Sequence, residues 1–97
     1  MQPEVFVVVF NEDSVDSNNS HTFVHKTLAG AYRKILEYVE HLRTYEWSTE
    51  MPAPPSFQEF TSQLHASNDP VCVYTHGHYA TDRFAIECMV QRAAVNE

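Results

Sequence analysis

The chain has 97 residues, of which 43% are hydrophobic and 12% aromatic, so it holds enough apolar material for one core and too little for two. Residues 1–97 are read as a single domain that folds without a metal or disulfide staple. Six Lys and Arg stand against thirteen Asp and Glu, a formal charge of −7, which cannot neutralise a run of phosphates and disfavours direct nucleic-acid binding.

Val5 to Phe10 is the longest apolar run, far short of the roughly 20 residues a membrane helix needs, so no membrane span is expected. No basic region precedes that run and no small-residue cleavage site follows it, so no export signal is read. With only Cys72 and Cys88, a disulfide framework is also absent, and a reducing interior such as cytoplasm is the expected location.

In chain order, Val5–Phe10 is β-branched and aromatic and apolar on both sides, the composition of a central strand covered on both faces or lying near the sheet middle. Asn11–Ser20 is rich in Asn, Ser and acids and is expected to be a mobile acidic loop. His21–Lys26 alternates and returns beside the first strand as a long-looped hairpin.

Thr27 is a candidate N-cap, and Leu28, Ala31, Tyr32, Ile35, Val39 and Leu42 then recur every three or four residues, predicting an amphipathic helix. Gly30, in its first turn, is expected to mark a close approach to a strand. Pro52, Pro54 and Pro55 predict an extended connector over Thr44–Pro55. Ser56 with Glu59 forms a capping box ahead of Phe57, Phe60 and Leu64, giving a second helix to about Ala66.

Val71–His76 and Phe84–Val90 read as a terminal hairpin around a turn near Gly77–Asp82. The expected register pairs Val71 with Cys88, Val73 with Ile86 and Thr75 with Phe84. Cys72, Tyr74 and His76 would then share the other face with Arg83, Ala85 and Glu87, and a disulfide between Cys72 and Cys88 is excluded. The order β-β-α-α-β-β predicts an α+β fold, a four-stranded, mainly antiparallel sheet with two helices packed on one face.

Chemistry-bearing patterns are few. Two glycines 47 positions apart cannot form a phosphate-cradling loop, and cysteines 16 apart cannot form a zinc finger. His21 and His25 lie about 13 Å apart along a strand and cannot share an ion. His76 and His78, separated by one glycine, are the best metal candidates, but they lack a third ligand, so no metal and no cofactor is expected. Neither cysteine has an adjacent base that would make it a nucleophile. Glu12, Asp13, Asp16 and Asn18 lack the alternating acids, central glycine and closing glutamate of an EF-hand loop.

The favoured reading is a small non-catalytic interaction protein. It would present Glu12, Asp13 and Asp16, with Trp47, Glu50 and Met51 of the connector, to a protein with a basic surface. An inhibitor that imitates nucleic-acid charge is its sharper form. Trp47 and Met51 have a second reading, in which they fold back and cap the core. The alternative function is a ligand- or metal-binding protein or small enzyme using Tyr74, His76 and Glu87 with His78 at the turn. Phe84–Val90 is also a candidate sheet edge through which two copies could form a homodimer. Protonating all six histidines would carry the formal charge from −7 to −1, so charge-driven binding is expected to fade toward about pH 5.5.

Overall fold

The computed structural model describes residues 4–14, 18–46, 51–65, 69–77 and 84–94. Strands β1 (Glu4–Ser14) and β2 (Asn18–His25) are followed by helices α1 (Leu28–His41) and α2 (Phe57–His65), then by β3 (Val71–His76) and β4 (Phe84–Ala94). The four strands form one antiparallel sheet in the order β2-β1-β4-β3. This is the α+β arrangement expected from the element order.

Alternation along β1 sorts its residues between two faces. Phe6, Val8 and Phe10 are buried, and they meet Ala31, Ile35 and Val39 of α1, Phe60 and Leu64 of α2, and Ile86, Cys88 and Val90 of β4 in one core. Val5, Val7 and Val9 point the other way and are only half-buried. The strand is central, as its composition implies, yet its second apolar face meets no described element.

Helix α1 begins as expected: the Thr27 side chain accepts a 3.0 Å hydrogen bond from the Gly30 amide. A β-carbon at Gly30 would stand 3.4 Å from Nδ1 of His25, so the glycine does mark the place where helix meets strand β2. The capping box of α2 is complete, with Ser56 Oγ accepting from the Glu59 amide and a Glu59 carboxylate oxygen accepting from the Ser56 amide.

Four expectations are corrected. The stretch Asn11–Ser20 is mostly strand, because β1 runs to Ser14 and β2 begins at Asn18. Register with the partner strand overrides the weak strand preference of Asn, Asp and Ser there. The connector starts later than Thr44, since α1 continues through a π-type turn over Leu42–Glu46; no proline acts before Pro52, and Leu42 is buried. Beyond it, the hydroxyls of Tyr32 and Tyr74 donate 2.7 Å hydrogen bonds to the carbonyls of Pro55 and Pro52 and so fix the proline segment.

The terminal hairpin has a different register. Val71 pairs with Val90 and Cys72 with Met89; after an irregularity between Cys72 and Tyr74, Tyr74 pairs with Cys88, Thr75 with Glu87 and His76 with Ile86. The extra residue lets Val73 and Tyr74, adjacent in sequence, both be buried, an arrangement strict alternation forbids. Finally, β4 lies inside the sheet between β1 and β3, so the edges are β2 and β3 and the terminal strand offers none. Its long pairing with β1, from Ser14↔Phe84 to Glu4↔Ala94, puts it there.

Candidate functional site

The helices leave one face of the sheet uncovered by any described element, and the register divides that face into two zones. At one end Ser20, Asn11, Glu87 and Thr75 form a row across all four strands, with Asn18, Asp13 and Ala85 in the next row. Beyond these, toward the other end of β1, come Val9, Val7 and Val5 with their neighbours Thr22, Val24, Met89, Gln91 and Ala93. The first zone is polar and acidic; the second is uncharged.

Side-chain hydrogen bonds organise the polar zone. Ser20 Oγ donates to Asn11 Oδ1 at 2.7 Å, and Asn11 Nδ2 donates to Glu87 Oε1 at 3.2 Å, a chain that runs over β2, β1 and β4. Thr75 turns its hydroxyl toward its own sheet and donates to the Ile86 carbonyl at 3.3 Å. Asn11, Glu87 and Thr75, with Asp13, Ala85, Ile86 and Gly77, border a shallow depression of about 260 Å³. Its wall therefore carries two carboxylates, and no Lys or Arg occupies any described position of this sheet face. The described cations sit elsewhere, Lys26 before α1, Arg33 and Lys34 on it, Arg43 after it and Arg92 on the helix side of β4.

Glu12 belongs to the same end of the sheet but to the opposite face. Its carboxylate accepts a 2.6 Å hydrogen bond from the Tyr38 hydroxyl and stands 3.7 Å from Nε2 of His21, with only 14% of the side chain exposed. Tyr38 in turn stacks on Phe10 at 3.9 Å between ring centres. Glu12 is thus a structural tie between sheet and helix as well as a charge.

Of the residues singled out from sequence, Asp13 lies on the acidic zone and Glu12 on the helix side of the same end. Met51 is 1% exposed and belongs to the core, following the capping alternative, so it offers no surface to a partner. Asp16, Trp47, Glu50 and His78 lie outside the described residues.

The Tyr74, His76 and Glu87 constellation is dissolved by the bulge. Tyr74 is buried facing the helices and His76 pairs on that side with Ile86, whereas Glu87 is on the open face with Thr75. Burial is the main cause that raises the Tyr74 phenol above its ordinary range. Among the described residues, no three His, Cys, Asp or Glu side chains gather where they could hold a metal ion. Cys88 is buried and its thiol is pushed far up by that burial, while Cys72 is exposed; both are free.

Sequence reasoning misses Asn11 and Ser20 as organisers of the site, because Asn, Ser and acids favour loops whereas here they lie on β1 and β2. Glu87 is on the face its alternation with Ile86 and Cys88 implies, but its neighbours there are Asn11 and Thr75 rather than Tyr74 and His76. Residues 5–10 are all apolar and 11–14 all polar, so no alternation in the sequence signals that the strand continues past Phe10.

No helix among the described residues is long and apolar enough to cross a membrane. The chain matches no protein-family model, no curated protein and no solved structure.

Proposed function

We propose that this protein is a non-catalytic interaction module that engages a basic protein surface through the acidic end of its sheet. The observation that carries the reading is that Asp13 of β1 and Glu87 of β4 stand in adjacent rows on one sheet face that bears no cation at any described position. Carboxylates held on paired strands lose little freedom when a Lys- or Arg-rich surface docks, and a field of one sign speeds encounter. The formal charge of −7 adds long-range attraction for the same class of partner. A partner that normally holds nucleic acid satisfies these conditions, which makes occlusion of a nucleic-acid-binding groove the specific form of the proposal.

Capture from the native cell tests it. Immobilised protein should retain a basic protein at low salt, release it at high salt, and lose it to competing duplex DNA. Retention that ignores both salt and DNA would contradict the reading.

A further inference from the structure

We propose that the outer edge of β2 pairs with the same edge of a second copy of this chain, antiparallel and two-fold, joining two four-stranded sheets into one. The inference is independent of what binds the acidic end, whose depression has no residue of β2 in its border. It begins from the two sheet edges, β2 and β3. An edge strand shows a row of unpaired amides and carbonyls, and chains protect it with short length, Pro, charge or a bulge. β3 has six residues, follows Pro70 and carries the bulge near Val73. β2 has eight, with no Pro, Lys, Arg, Asp or Glu among them, and lies in unshifted register on β1 from Asp13↔Asn18 to Phe6↔His25. Asn18–Thr22 and Val24 are exposed, and no described strand lies beyond them.

Charge placement selects a second copy as the occupant. β2 and α1 run antiparallel, with Gly30 beside His25, Lys34 over Phe23 at 4.2 Å and Tyr38 near His21 at 5.9 Å, so Thr22 is level with the helix midway between Lys34 and Tyr38. Arg33, Lys34 and Glu37 border, with His25 and Gly30, a small depression between α1 and this edge. Along the edge the charge changes sign about Thr22. Glu12 and Asp13 pair with Asn19 and Asn18 at one end, with Glu37 above that half, while Lys26, Arg33 and Lys34 occupy the other. An antiparallel copy with its axis at Thr22 reverses this order, so Lys26 comes opposite Asn18 beside Asp13, and Lys34 of each copy meets Glu37 of the other. A uniformly basic or acidic segment would meet like charge at one end or the other.

Spacing permits it as well. Residues directly opposite in a sheet share a face, so pairing Thr22 with its own copy keeps both helix layers on one side. α1 packs over β1 and β2, which sets the two copies of α1 two strand spacings apart, about 10 Å. Packed helices lie at about 8–10 Å, so strand pairing and helix contact form together.

Sedimentation of the purified chain from about 1 µM to about 1 mM tests the proposal, a range that covers small, transient interfaces. The expected result is a concentration-dependent rise to twice the 11.2 kDa monomer mass. Thr22→Lys, at an exposed position, sets two like charges face to face at the axis and should weaken association about tenfold or more. Lys34→Glu and Glu37→Lys should each weaken it, and combining them should restore it to within about threefold, because opposite charges again meet across the axis. Far-UV circular dichroism checks that each variant keeps the native fold. A chain that stays monomeric throughout overturns the proposal. So does a dimer that natively folded Thr22→Lys leaves unchanged, or one in which the combined reversal associates no better than its single variants.

Discussion

The Tyr38 hydroxyl donates a 2.6 Å hydrogen bond to Glu12 Oε1, joining the third turn of α1 to the far end of β1. This bond satisfies a carboxylate that is largely withdrawn from water, and the ring beneath it stacks on buried Phe10. Tyr38→Phe should therefore keep the stacking but strip the carboxylate of its donor, costing about 1–2 kcal/mol in urea denaturation. Tyr38→Ala should cost about 3–5 kcal/mol, as both packing and bond are lost. Equal losses in the two variants would show that the hydroxyl is idle.

Helix α1 leans on its first turn. Thr27→Ala removes the acceptor for the Gly30 amide and should lower stability by about 1 kcal/mol, whereas Thr27→Ser should retain most of it. Thermal or urea melts of the two variants provide the comparison.

The capping box of α2 carries a pH signature. Hydrogen bonds from Ser56, the backbone one foremost, hold Glu59 below its ordinary value of 4.5. A carboxyl with a lowered folded value binds fewer protons when native, so its contribution is present above about pH 4.5 and is lost as pH falls through the lowered value. Glu59→Gln should flatten that acid limb of the stability curve while leaving the alkaline limb intact.

The alkaline limb has a different origin. Burial raises both the Cys88 thiol, ordinarily at 9.0, and the Tyr74 phenol, ordinarily at 10.0. For such acids the native state keeps protons that the unfolded chain releases, so stability is whole below pH 9 and declines as pH climbs above 9 and then above 10. Cys88→Ala, less stable overall because it leaves a cavity, should show a shallower decline above pH 9. Thiol titration supplies an independent check: Cys72 should react with an aromatic disulfide promptly, and Cys88 only at the rate of unfolding.

The elements whose signals are local were legible in the sequence. Thr27, Gly30, Ser56 and Glu59 act within one helical turn, and each does what its spacing implies. The layering was legible too, since the stripe from Leu28 to Leu42 and the apolar run of β1 demand one shared core. The register of β3 on β4 was not, because one bulge near Val73 reverses the faces of every residue after it, and a bulge leaves no clear mark in side-chain type. Strand order was hidden for a related reason: hairpin neighbours are set by the chain, whereas the β1 to β4 pairing closes a loop of some eighty residues that no local pattern records. The acidic zone depends on that pairing, since it brings Glu87 beside Asn11.

The most direct test of the account is the salt dependence of affinity for the captured basic partner, measured for the natural chain and for Asp13→Asn/Glu87→Gln. The account predicts that the double variant keeps its fold, binds at least about tenfold more weakly at low salt, and shows a flatter salt slope. Affinity and slope unchanged by removing both carboxylates would contradict it.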